Sequence, residues 1–278
     1  MDRRKAMKLA AGAIVGSGAG IYALAAGFKP EYLPLEEPKR LEYSGTKTSW
    51  EYHTLDPIVT GQFAYNQYDS GSCMYATFKS IISQLADKYG EPYTSYPMHM
   101  MKYGHGGIGG FGSICGALNG AAAIIGLFVA EKAMQDSLIT GLFRWYEGNN
   151  LPALIPQKAT LDITIQPTLS NSILCHASNT TWVNETGYAI NSNERKERCR
   201  RLTGDVATRL VVVLNEYFGN TYVTNGHSHE TVATCTTCHG DSGKVANSTT
   251  KMGCTSCHTE SVGHKVFADV HYSIMESK

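Results

Sequence analysis

Charge is what this chain has least of. Of its 278 residues only 17% are charged, below the usual quarter, which argues against long solvated or disordered stretches. Neither sign is in excess, since 24 Lys and Arg balance 24 Asp and Glu. That excludes the broad basic footprint of a nucleic-acid binder and the basic tail of a membrane-surface protein. Cysteine is sparse as well: eight residues are far too few for a disulfide-dense scaffold. The apolar share, 42%, is ordinary, and the length suffices for one large domain or two modest ones with a sizeable core. Histidine, at 10 residues, is more numerous than a chain of this size needs.

Between Leu9 and Phe28 charge is missing altogether. The stretch follows Asp2-Arg3-Arg4-Lys5-Ala6-Met7-Lys8, and a paired arginine ahead of a mild apolar run resembles a twin-arginine export signal. Ala23-Leu24-Ala25 supplies an A-x-A cleavage site before Lys29 and Pro30. A run this long can also span a bilayer, but its glycine and alanine content makes it weakly hydrophobic and favours export. Either way the body is expected outside the cytoplasm, in the oxidising periplasm, with membrane contact only through an uncleaved signal. Twin-arginine export carries folded proteins, often because a cofactor is inserted first.

After this signal (1–28), the Pro- and Tyr-rich stretch 29–72 reads as an extended arm. A body over 73–219 follows. Met74, Phe78, Ile81, Ile82 and Leu85 form one helical face, stopped at Gly90-Glu91-Pro92. Ser113 is expected to cap a second helix through Ile114–Lys132, with Gly112, Gly116 and Gly120 along one side for close helix approach. A third helix covers Ala133–Glu147, and alternation at Leu161–Ile165 suggests a short strand. The fourth starts among Asn191, Ser192 and Asn193, carries Val206, Leu210, Val213, Leu214 and Tyr217, and ends at Gly219. Matching stripes on four helices predict a mainly α protein with a helical-bundle body. Gly107-Ile108-Gly109-Gly110-Phe111-Gly112 matches G-x-G-x-x-G, but no strand precedes it, so it is no dinucleotide fingerprint. The uncharged run Ile114–Ala130 reads as a buried bundle helix rather than a membrane span, because it holds Asn119, glycines and many alanines.

The segment 220–278 is Thr-, Ser-, Gly-, Cys- and His-rich and cannot build a core from its own apolar residues. It contains Cys235-Thr236-Thr237-Cys238-His239 and Cys254-Thr255-Ser256-Cys257-His258. In a C-x-x-C-H unit the two thiols add to haem vinyl groups and the adjoining imidazole reaches the iron. The spacing between the pairs also fits a zinc ribbon, and hence a zinc-stabilised binding module. A ribbon has no use for His directly after each second Cys, a coincidence of about one in a thousand at this His content. The reading is therefore two covalent c-type haems, with an irregular C-terminal segment folding around them.

His239 and His258 are the proximal ligands in this reading. Of the remaining histidines, His227, His229, His264 and His271 lie within or beside the haem segment. His229 is ten residues from His239, at most ~33 Å of chain, enough to return over the same haem. His264 is six from His258, at most ~20 Å, and more easily serves a neighbouring haem or a second subunit. His229 and His264 are thus the expected distal ligands, with His227 and His271 in reserve. Two imidazoles make an iron an electron carrier, whereas an open position allows a haem- or cluster-dependent small-molecule reductase.

An exported helical body with scattered cysteines and two terminal C-x-x-C-H units resembles the split-Soret cytochrome c family. The resemblance implies a dimer with two haems per chain crowded at one end and bis-histidine ligation shared partly across subunits. The body also resembles a wider family marked by Cys, Gly-Cys-Ala-x-x-Gly, Cys, Cys, here Cys73, Cys115, Cys175 and Cys199. The sequence reads Ile114-Cys115-Gly116-Ala117-Leu118-Asn119-Gly120, so the leading Gly is absent and the trailing one is displaced by one residue.

Read physically, Cys73, Cys115 and Cys199 fall near helix starts, where thiol pKa falls and anionic groups are favoured. With Cys175 they can hold an iron–sulfur cluster, or pair as two disulfides in an oxidising compartment. A cluster built in the cytoplasm would need folded export, which suits the leader. The expected function is a periplasmic dihaem c-type cytochrome that transfers electrons as a homodimer to unidentified redox proteins, with an auxiliary iron–sulfur site.

Overall fold

The computed structural model describes residues 49–224 and 230–254. The leader, Cys257, His258 and the distal candidates His227, His229, His264 and His271 lie outside them.

The first helix, α1, spans Pro57–Tyr89. Asp56 starts it: its Oδ1 accepts the N–H groups of Ile58 and Val59 at 2.8 and 3.0 Å, and Pro57 sits where no N–H is needed. Gly71 and Ser72 interrupt it, Ser72 with φ 65°, so Cys73 opens a second helical half as the stripe from Met74 predicts. The extended arm expected over 29–72 is therefore corrected for 57–70. The buried positions there are Thr60, Gly61, Ala64, Tyr65 and Tyr68, a helical face made of small and aromatic residues instead of aliphatic ones.

Two 3₁₀ turns, Tyr93–Ser95 and Met98–Gly104, lead into a loop where Gly106, Gly107, Gly109, Gly110 and Gly112 all have positive φ. Helix α2 is Gly116–Phe128, with Cys115 at its cap position. Ser113 does not cap it, and its buried Oγ has no partner. Its backbone is engaged elsewhere: Ser113 O accepts Cys175 N–H at 2.7 Å and Cys115 N–H donates to Ile173 O at 2.9 Å, around an antiparallel bridge between Ile114 and Leu174.

Helix α3, Lys132–Glu147, ends where Gly148 N–H meets Arg144 O. The strand expected at Leu161–Ile165 does not form. The ladder pairs β1, Asn150–Leu151, antiparallel with β2, Thr168–Leu169, and Arg201 Nη2 takes Ile163 O at 3.0 Å. Helix α4, Cys175–Thr186, has no counterpart in the sequence reading, because its buried positions are only Ser178 and Trp182. Helix α5, Asn193–Phe218, matches it, with Ser192 Oγ accepting Arg195 N–H at 3.1 Å and Gly219 at the end. A last helix, α6, covers Glu230–His239.

The protein is mainly α. Its core joins Phe78, Ile81 and Leu85 of α1, Leu118, Ile124 and Phe128 of α2, Leu138 and Leu142 of α3, and Val206, Leu210 and Leu214 of α5. Among the described residues no helix is long and apolar enough to cross a membrane. Glycines set the helix separations. A Cβ on Gly61 of α1 would meet Thr208 Oγ1 at 2.0 Å and Gly204 O at 3.0 Å on α5. On α2, one at Gly116 would lie 2.2 Å from Gly104 O and 3.1 Å from Cys73 Cβ, and one at Gly120 would lie 2.6 Å from Met74 O.

Gly120→Ala should therefore push α2 off α1 and cost about 1–3 kcal/mol, read as a lower urea midpoint. An unchanged midpoint would show that the contact can relax. A second expectation concerns Asp205 of α5, buried beneath the 152–167 loop with Oδ2 accepting Ala153 N–H at 2.9 Å. Burial raises its carboxyl to about 7, against opposing backbone hydrogen bonds from Ala153 and Leu154 and the charge of Arg198. Between the ordinary 3.8 and about 7 the folded chain thus holds a proton that the unfolded chain has released. This group's contribution is full below that window and lost as pH rises through it, by at most about 1.4 kcal/mol per pH unit. Asp205→Asn should flatten the stability slope between about pH 4 and 7; a slope unaltered by the substitution would assign it to other groups.

Candidate metal centres

The fold brings four cysteines from distant parts of the chain to one place. Cys73 opens the second half of α1, Cys115 precedes α2, Cys175 begins α4 and Cys199 lies in the early turns of α5. The Ile114–Leu174 bridge fixes Cys115 beside Cys175. Asn179, one turn along α4, joins Cys175 to α5: its Nδ2 donates to Cys175 Sγ at 3.2 Å and its Oδ1 accepts from Cys199 Sγ at 3.3 Å. Arg195 Nη1 points to Cys199 Sγ at 3.9 Å. Tyr68 reaches Cys73 and Tyr146 reaches Cys115. Cys115 and Cys199 are buried and the other two half-buried.

All four are free thiols in this structure. Burial, followed by the charges of Cys199, Cys115 and Cys175, pushes the Cys73 thiol well above its ordinary range. Cys175 is pushed up to about 12 by burial and then by Cys115 and Cys199, against the pull of Arg198 and Arg195. Cys115 is raised by burial, although Tyr146 and the first N–H groups of α2 oppose it. Thiols that suppress one another's ionisation can ionise together once a cation arrives between them, and thiolates suit iron and iron–sulfur groups. The donor set therefore fits such a group. As the side chains stand, no three His, Cys, Asp or Glu groups among the described residues meet at metal-ligating spacing.

The second cluster lies in the C-terminal segment. Helix α6 puts Cys235 and Cys238 one turn apart with His239 at its end. Asn247 Oδ1 lies 2.8 Å from His239 Nδ1, and His239 O accepts the N–H groups of Asn247 and Ser248, both at 2.9 Å. An amide oxygen only accepts, so the proton of this pair sits on Nδ1. Cys254, which opens the second motif, is raised by burial and then by the charge and hydrogen bond of Cys235. The first thiols of the two motifs are thus neighbours. Residues 249–252 flank a cleft of about 490 Å³ against α3, with Lys251 O taken by Arg144 and Lys251 Nζ donating to Thr140 Oγ1 at 3.3 Å.

Sequence reasoning named the thiols and missed what surrounds them. Asn179 is one turn from Cys175, and Arg195 and Arg198 share a helix with Cys199, so their spacing was a usable signal. Asn247 gave none.

Residues 75–213 match the family described as putative redox-active protein (C_GCAxxG_C_C). Split-Soret cytochrome c of Desulfovibrio desulfuricans is 35% identical over 227 residues, covering 79% of this chain and 81% of that one. A solved structure of the split-Soret cytochrome c from that organism, in which a novel iron centre is described, superposes with a TM-score of 0.76 at 33% identity, covering 82% of this chain and 98% of that one. With four thiols converging in a helical body that matches at this level, the chain belongs to the split-Soret cytochrome c family, within the C_GCAxxG_C_C group of redox-active proteins.

Proposed function

We propose that this protein is an exported dihaem c-type cytochrome that passes single electrons and also holds an iron–sulfur cluster. The observation that carries the reading is the contact of Cys235 with Cys254, the first thiols of two C-x-x-C-H units. Two macrocycles attached there start from adjacent points, which favours rapid transfer between them. Cys235 and Cys238 would hold one haem and Cys254 and Cys257 the other, with His239 and His258 as proximal ligands. When bound, the haems and the cluster supply one-electron chemistry. The chain's own contribution is orientation: Asn247 fixes the His239 ring, and Arg144 and Thr140 tie the segment to α3.

His229 and His264 are the distal ligands in this reading, with His227 and His271 behind them, and His264 serves a haem of a second subunit. Ligation and dimerisation are then coupled, so dilution weakens both. Cys73, Cys115, Cys175 and Cys199 hold the cluster, and the paired arginine of the leader directs the folded protein to the periplasm.

Haem should be found at two covalent equivalents per chain, falling to one in Cys238→Ala made in a host competent for haem attachment. Stoichiometric zinc with no haem would refute the assignment. Cys73→Ser, Cys115→Ser or Cys199→Ser should abolish the EPR signal of non-haem iron and leave the haem bands in place. Mass spectrometry of anaerobically prepared wild type showing these cysteines joined as disulfides would end the cluster reading.

A further inference from the structure

Helix α5 carries an arginine that the haem and thiol chemistry leaves unused. Arg198 is 1% exposed and among the largest fully buried side chains of the molecule. A guanidinium keeps its proton in a protein, so its charge stays wherever the fold puts it. Burying such a charge alone costs several kcal/mol, on the order of what a carboxylate partner normally offsets. Its helix neighbours follow that rule: Arg200 pairs with Glu197 and Asp69, and Arg201 with Glu197. Among the described residues Arg198 forms no ion pair with a carboxylate. Asp205 feels its field but spends Oδ2 on Ala153 N–H. Arg198 Nη2 donates to Ser178 Oγ at 2.7 Å, a neutral acceptor, and Nε–H has no hydrogen-bond partner. Ser178 Oγ also accepts from Tyr146 Oη at 3.0 Å, which pins the guanidinium between α4 and α3. The groups that act on its charge are Cys199, Tyr146 and Cys115, and it acts in turn on Cys175. A buried cation is thus held beside thiols, and among the described residues no carboxylate pairs with it directly.

We propose that Arg198 is the resident counter-charge of the four-thiol site, a fixed positive charge shielded from water that raises the reduction potential of iron bound there. The inference rests on the reading that these thiols hold iron. Thiolate-bound iron gains negative charge on reduction, and a nearby cation in a low-dielectric interior favours that added electron. Arg195, half-buried beside Cys199, acts in the same direction but is screened by water. Arg198 also reaches the Cys199 thiol, and it is a positioning residue that acts on the iron through that thiol and through the field it sets. The same charge becomes a liability when iron is absent, because protonated thiols leave it uncompensated. One substitution should therefore have opposite effects on the loaded and the iron-free protein.

Arg198→Met keeps the length and removes the charge. At the wild-type midpoint of the non-haem iron, the ratio of reduced to oxidised iron in this variant should fall at least tenfold, about 59 mV for one electron, by EPR-monitored titration. In protein stripped of non-haem iron but retaining its haems, the variant should melt above wild type. Arg198→Lys should keep the wild-type midpoint. Equal midpoints in loaded wild type and Arg198→Met overturn the inference while leaving the iron site standing. If wild type holds no non-haem iron, the underlying reading fails and the inference fails with it. If Arg198→Met does not load iron, Arg198→Lys decides: a wild-type midpoint supports the counter-charge and a lowered one overturns it.

Discussion

Close backbone contact between α1 and its two neighbours is the constraint on which the rest of the molecule depends. Gly61 against Gly204 and Thr208, and Gly116 and Gly120 against Gly104 and Met74, leave no room for a side chain. Helices at that range cannot rotate about their axes without collision. The start of α2 is therefore fixed against the break in α1, which sets Cys115 beside Cys73. The backbone bridge from Ile114 to Leu174 then adds α4 with Cys175, and α5 closes the site with Cys199.

The polar interior of α5 follows from the same packing. Glu197 is fully buried and satisfied three ways, by Tyr65 Oη at 2.8 Å, Arg200 Nη1 at 2.7 Å and Arg201 Nε at 2.8 Å. Removing one member of such a network strands the others, typically for about 3–5 kcal/mol. One turn thus holds a neutralised set and, beside it, the unbalanced Arg198. Polar side chains distributed this way make α5 a buried helix with a polar interior, despite a composition that reads as amphipathic.

Much of this was legible in the residues. The stripes of α1 from Met74 to Leu85 and of α5 from Val206 to Leu214 are aliphatic and periodic, and both helices formed where that pattern predicts. Residues 57–70 and α4 were illegible for one reason: their buried faces are Thr, Gly, Ala, Ser, Tyr and Trp, which carry no contrast in hydrophobicity. Leu161–Ile165 alternates as a strand should, yet no described strand lies alongside it, and Arg201 takes its carbonyl instead. At the site, the sequence singled out the four body cysteines, and the fold brings them to one place. Their partners depend on which helices meet, which no local pattern encodes.

The four thiols are also far apart along the chain. Cys73 and Cys199 are 126 positions from each other, and Cys115 and Cys175 divide that interval. Anything that binds the first and last together closes a loop of this length. In the chain-entropy view such a cross-link removes freedom from the unfolded state worth about 4–5 kcal/mol. An unfolded chain also holds the four thiols only at random separations, so the intact set exists only after α1, α2, α4 and α5 have docked. A group bound by all four thiols would therefore report on the whole body: it would bind only once the chain had reached its native topology, and it would then hold the chain there.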